Sequence, residues 1–338
     1  MMNASYSLLQ ASSPTVFYME PVPVYPKCIT GYVENQGALG YWHPPTNRYV
    51  TRIVPSTQFL SYCISHEDRV YGIDENYGAK GSSLYEFRRQ DTDDIIVSNK
   101  VSDQNVKGAV FLLKTDKFFY IPGFGSDNLW IVDALTFHSF TVVPTGPRPH
   151  GIYLHLDTFY VPCRGEVEKD NADLIYRYQK DDLSIVLPPV DLSRIQSDMG
   201  PRHVLFMGHV MYVVTEFACE VLKLDLDEDA RLLKRVRMTS PITPDTTGAE
   251  IRYHQNAIYT TLRIKDQSGY LIHYDEDLNE RGRLKVGRNP RFFHLDASDV
   301  FAIVLNQEDQ SFTIIHLQQW KIVSTVTDLN LSPQCFVP

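Results

Sequence analysis

Several short phrases in the second half of the chain put ionisable side chains where apolar runs begin and end. GPRPHGIYLH opens one run with His150, and GPRHVLF opens the next with Arg202. The strand YVVTE closes on Glu216, fourteen residues after Arg202. GAEIRYH opens with Glu250, and YTTLR closes on Arg263, thirteen residues later. NPRFFHL opens with Arg291, and AIVLNQ ends in Asn306 and Gln307. Charge at the end of an apolar strand is costly unless it is paired or used. Arginine clamps carboxylate or phosphate through a planar fork, and His with Glu can move a proton. The set predicts a polar cleft for a small anionic substrate. His150, Arg202, Glu216 and Arg263 are among the residues that would line it. Arg202, Arg263, Glu250, Arg291, Asn306 and Gln307 are its binding candidates. Glu250 and Arg291 have a structural alternative, as an ion pair and a blade brace. His203, next to Arg202, is expected on the opposite face of its strand as a core residue.

The elements that carry these residues are strands. Aromatics make up 12% of the 338 residues, with 20 Tyr and 17 Phe. Apolar runs of four to seven residues, such as AVFLL, LWIV, TFYVPC, VMYVV and FAIVL, are separated by turn formers, as in an all-β chain. A 3.6-residue period is scarce, and only 189–199 suggests a helical turn. One core repeats at Tyr71, Tyr120, Tyr160, Tyr212, Tyr259 and Phe301, with gaps of 49, 40, 52, 47 and 42 residues. A short strand precedes each core and two follow it. Four strands per 40–50 residues is the period of a propeller blade.

Six such units run from about 57 to 325. CITGYV, LGYWH and YVTRIV at the start and QCFV at the end are left over. Together they make a seventh blade shared by both termini, which leaves no open sheet edge. The expected fold is therefore an all-β seven-bladed propeller of four-stranded blades, a single domain over 28–338 behind a tail at 1–27. A pair of β-sandwiches is the competing architecture, disfavoured by the steady spacing and the absence of a linker. In a blade, strand B returns to the rim where strand A starts. A strand-A start and a strand-B end about fourteen residues apart thus become neighbours at one mouth of the tunnel.

Composition narrows the partners. The chain is 43% hydrophobic and 22% charged with a net charge of −9, which speaks against nucleic acid or an anionic membrane. No run of 18 apolar residues suits a membrane helix. The five cysteines Cys28, Cys63, Cys163, Cys219 and Cys335 are scattered without a CxxC pair, so reduced thiols and a cytoplasmic location are expected. The sequons at Asn3 and Asn330 point the other way. His155, His209, His254 and His294 lack metal-ligand spacing. Gly123–Ser126 has no Walker lysine, and no G-x-S-x-G elbow exists. Trp42, Trp130 and Trp320 read as packing residues. The oligomeric state is left open.

HGI at 150–152, GPRHV with YVVTE, GAEI with YTTLR, and NPRFF with VLNQ, one set per blade, resemble the lactonase-type seven-bladed propellers. That family holds the 3-carboxy-cis,cis-muconate lactonizing enzymes and propeller-type 6-phosphogluconolactonases. The resemblance spans about 57–317, and HGI, RVYGI and GAVFLL lean toward the muconate branch. It implies a His–Arg–Glu–Arg site at His150, Arg202, Glu216 and Arg263. The implied activity is cofactor-independent closing or opening of a lactone on a polyanionic substrate, by a cycloisomerase or a lactone hydrolase. His150 would be the general acid, with Glu216 orienting it or acting as base. A propeller serving only as a binding scaffold is the alternative.

Overall fold

Middle strands in this chain are apolar on both faces. FAIVLN (Phe301–Asn306) and SFTIIH (Ser311–His316) are buried at every residue. Both faces of such a sheet must meet another sheet. By contrast RLLKRVR (Arg231–Arg237) alternates exposed and half-buried residues, as an outermost strand does. The computed structural model describes residues 26–43, 48–89, 95–167, 173–296 and 298–337. Among these, strands assemble into seven four-stranded antiparallel sheets. Among the described residues the only helical element is a 3-10 turn at Leu192–Arg194, inside the segment where a helical turn was expected. The expected tail at 1–27 lies outside the described residues except for Pro26 and Lys27.

The repeated core is strand B of each of the first six blades, as in Arg69–Asp74 and Val210–Thr215. The seventh blade is closed by the C-terminus. Strand Ser332–Val337 is its innermost member and pairs antiparallel with Cys28–Val33, matching Thr30 with Cys335. Apolar clusters fill the seams between blades. Tyr212, Val214 and Val221 of the fourth blade meet Ile251, Ile258 and Ile272 of the fifth. Each such buried side chain contributes about 1.5–3 kcal/mol. All five cysteines are buried and free.

Two local devices build the upper rim. The first is a hydrogen bond from the residue just past strand B to the residue just before strand A. It recurs as Glu75 N–H to Phe59 O, Phe124 to Gly108, Arg164 to Arg148, Glu216 to Gly200 and Gln307 to Asn289, all at 2.7–3.0 Å. In each of these five blades the first side chain past strand B thereby stands at the rim. The second is a β-bulge in strand A. The register slips by one between Leu60 and Tyr62, Pro201 and His203, and Pro290 and Phe292. Ser61, Arg202 and Arg291 are the extra residues. A bulge re-aims a side chain that strict alternation would send into a seam. In the fifth blade the slip lies between Gly248 and Ile251. A Cβ on Gly248 would stand 2.3 Å from Thr215 O, so only glycine lets this strand lie so close to the fourth blade.

Candidate functional site

Glu216 is the centre of the rim. Its Oε2 lies 3.0 Å from Arg202 Nε. Its Oε1 accepts from Arg164 Nη1 at 3.0 Å and lies 3.5 Å from Arg263 Nη2. The Arg202 side chain is 3% exposed, and its Nη1 donates to Ala249 O at 2.6 Å. Arg263 Nη2 also donates to Gly248 O at 3.2 Å. Arg202, Glu216 and Arg263 thus meet as the blade geometry requires. Val204 and Val214 pack away from them in apolar seams. Beside Glu216 and Arg263 opens a cavity of about 240 Å³, bordered also by Asn289 and Glu308.

His150 completes the group. Its buried ring stands edge-on to Phe124 at 5.8 Å and to His203 at 4.9 Å. Its Nδ1 is buried with no hydrogen-bond partner. His203 does face the other way from Arg202, yet that face is the wall behind His150. There its Nδ1 bonds the Tyr153 hydroxyl.

Arg164 is a rim residue that sequence reasoning missed. Its guanidinium lies over the Phe124 ring at 4.6 Å and the Phe217 ring at 5.0 Å, held by cation–π attraction while it pairs with Glu216. Fourteen residues separate it from His150. The spacing that selects Glu216 after Arg202 would have selected it too. Glu75 was missed likewise, fourteen residues after the bulged Ser61. Tyr77 donates to Glu75 Oε1 at 2.8 Å, and Arg291 Nη2 lies 3.9 Å from its Oε2.

Two expected binding residues, Asn306 and Glu250, stand elsewhere, and two more, Gln307 and Arg291, reach the rim with partners of their own. Asn306 is fully buried. Its Oδ1 accepts from Gly287 N, and its Nδ2 donates to Ser311 Oγ and Thr313 Oγ1. It pairs with Pro290 at the place where Thr215 pairs with Pro201. The counterpart of Glu216 is the next residue, Gln307, and the pleat turns Asn306 inward. Gln307 reaches the rim but donates to Tyr32 OH at 3.0 Å, tying the sixth blade to the seventh. Glu250 pairs with Arg252 at 3.5 Å and lines the other half of the tunnel. Arg291 is at the rim with Glu75.

The electrostatics revise the expected proton roles. Burial would raise the Glu216 carboxyl, but Arg263, Arg202 and Arg164 override it and hold the group at about 2. Glu216 is therefore a fixed anion that spaces three guanidiniums. Burial, reinforced by Arg202, His203, Arg291 and Arg164, drives His150 well below 6.5. The imidazole is neutral at physiological pH, which suits a base and not the expected acid. Burial and Arg263 bring Arg202 down to about 9. Burial raises Glu75 against the pull of Arg291. His209, Asp225 and Asp227 bring ligand atoms within 4.8 Å of one another. They lie at the far face of the fourth blade, remote from this site, where Arg231 also reaches Asp225 at 3.8 Å.

A family model described as "Lactonase, 7-bladed beta-propeller" matches residues 145–334. No curated protein matches the sequence. Solved structures share the fold at low identity. A candidate 6-phosphogluconolactonase from Bacteroides uniformis is 15% identical with a TM-score of 0.72, covering 91% of this chain and 97% of its own. Another from Bacteroides fragilis is 13% identical with a TM-score of 0.70, covering 91% and 96%. The periplasmic gluconolactonase PpgL of Pseudomonas aeruginosa is 15% identical with a TM-score of 0.68, covering 90% and 96%.

Proposed function

The chain belongs to the seven-bladed β-propeller lactonase family, and from that premise we propose that it hydrolyses a small lactone bearing a further anionic group. The observation that carries this reading is the rim itself. Arg164, Arg202 and Arg263 surround one carboxylate beside a buried imidazole with a free nitrogen. Three guanidiniums against Glu216 leave positive charge for a substrate anion. Neutral His150 takes a proton from water as the water oxygen attacks the lactone carbonyl. The arginines stabilise the oxyanion that forms. The ring C–O bond then breaks, and His150 returns the proton to the departing alkoxide. No cofactor is required by these steps.

Ring closure on a carboxymuconate is the second reading, and Glu75 favours it. Addition of a carboxylate to a conjugated double bond needs a proton donor. Glu75, its carboxyl raised by burial, is the rim group best able to be protonated. The two readings separate by assay. The protein is incubated with 6-phosphogluconolactone, with uncharged gluconolactone and with 3-carboxymuconate, following acid release and ultraviolet absorbance. Hydrolysis of the phosphorylated lactone, well above the spontaneous rate and above that of the uncharged one, is expected. Cyclisation of the muconate alone would establish the second reading. Turnover of none would leave a binding scaffold.

A further inference from the structure

The tunnel has a second mouth on the face opposite the arginine rim. There the later residues of six innermost strands enclose a cavity of about 720 Å³, within the range of small-molecule sites. A layer of rings stands between it and His150. Tyr62 meets Phe111 at 4.6 Å, Phe111 meets Tyr153 at 5.1 Å, and the Tyr153 hydroxyl bonds His203.

Its wall holds one charged pair, Arg252 Nη2 to Glu250 Oε2 at 3.5 Å, with the Glu250 side chain 4% exposed. The Arg252 guanidinium lies over Phe292 at 5.3 Å. Its Nε is buried without a hydrogen-bond partner. A buried ion pair offsets its desolvation only when its remaining donors and acceptors are satisfied; Tyr62 bonds Arg252 and Ile251 N–H donates to Glu250 Oε1 at 3.1 Å, which leaves the Arg252 Nε unmatched. Flat surface lies near it. His155 stacks on Phe206 at 4.5 Å and 7°, and the exposed Tyr253 forms part of the lining.

These features select a ligand. An anion would gain Arg252 but meet Glu250, and a cation would meet the reverse. A hydroxyl group donates to the carboxylate and accepts from the guanidinium. The apolar face of a saturated ring packs on aromatic side chains. We propose that this cavity is a binding site for a neutral polyhydroxylated ring, a sugar of pyranose size, independent of the arginine rim.

The test is a calorimetric titration of the full chain with D-glucose and maltose, with benzoate and gluconate as anionic comparisons. Saturable millimolar binding of a neutral sugar is expected. Arg252→Met should weaken it about ten-fold or more, since it removes charge-assisted bonds, and Arg263→Ala should leave it unchanged. Tyr253→Ser, at an exposed position, should weaken it several-fold and keeps the test decisive if Arg252→Met does not fold. No saturation by either sugar, binding of benzoate or gluconate instead, an unaltered Tyr253→Ser affinity, or loss of binding in Arg263→Ala would overturn the proposal.

Discussion

Arg202 and Glu216, fourteen residues apart, meet at 3.0 Å because one is the bulged residue that opens strand A and the other the first residue past strand B. The contact makes Glu216 a structural counter-charge with a pH signature. Its carboxyl is held at about 2 against an ordinary 4.5. Its stabilisation is therefore complete above the ordinary value and is lost as pH falls from about 4.5 toward 2, up to about 3 kcal/mol. Glu216→Gln should lower the melting temperature at pH 7 and flatten the difference from the parent below pH 4. Thermal melts from pH 7 to 3 check both.

His150 should govern rate more than binding. His150→Ala is expected to lower kcat about 10²–10⁴-fold, as loss of a positioned base does. Because its environment keeps the ring neutral well below pH 6.5, kcat/KM of the parent should stay level as pH drops through 6.5 and decline only in more acidic solution. A pH–rate profile with an inflection near 6.5 would assign the base to another group.

Arg164 should behave as an anion clamp whose shape matters. Arg164→Ala is expected to raise KM about ten-fold or more. Arg164→Lys should recover little, because an ammonium lacks the planar fork that contacts Phe124 and Phe217 while donating to Glu216. Steady-state kinetics of both variants on the turned-over lactone check this. A full rescue by lysine would mean that charge alone is needed.

Blade number, shared closure and the meeting of Arg202, Glu216 and Arg263 were legible because they follow from spacing. Strand B repeats its aromatic core, and fourteen residues make one A–B hairpin. The strand-A bulge was not legible. It adds one residue without changing the apolar pattern, so alternation alone does not show why Arg202 reaches the rim, that His203 backs His150, or that Asn306 turns inward while Gln307 does not. The proton roles were hidden for another reason. Whether His150 is charged depends first on its burial and then on guanidiniums gathered at the rim, Arg202 and Arg291 from other blades and Arg164 from its own, and no local pattern records that field.

Asn306 and Gln307 offer a contrast between adjacent residues. Asn306→Ala removes the side-chain partner of Gly287 N, Ser311 Oγ and Thr313 Oγ1. It should cost about 1–3 kcal/mol and leave kcat nearly unaltered. Denaturant unfolding beside an activity assay distinguishes this from a substrate-binding role, in which activity falls while stability holds.

The closure strand should control the stability of the whole ring. Ser332–Val337 places Cys335, Phe336 and Val337 in the cluster that also holds Leu60 and Cys63 of the first blade and Phe292 and Leu305 of the sixth. Removing residues 332–338 would open that seam on both sides and bare the edge of Cys28–Val33, a template for pairing with other chains. Gly31→Ala acts on the same seam without deleting anything. A Cβ there would stand 2.3 Å from Ser332 O and 2.5 Å from Leu331 Cδ1, so the two terminal strands must separate to admit it. Overpacking of this kind costs about 1–3 kcal/mol. The truncated chain should aggregate, and Gly31→Ala should stay folded with a lower melting temperature. Light scattering and thermal melts read the two outcomes. A truncated chain that melts like the parent would mean that the seventh blade holds without its innermost strand.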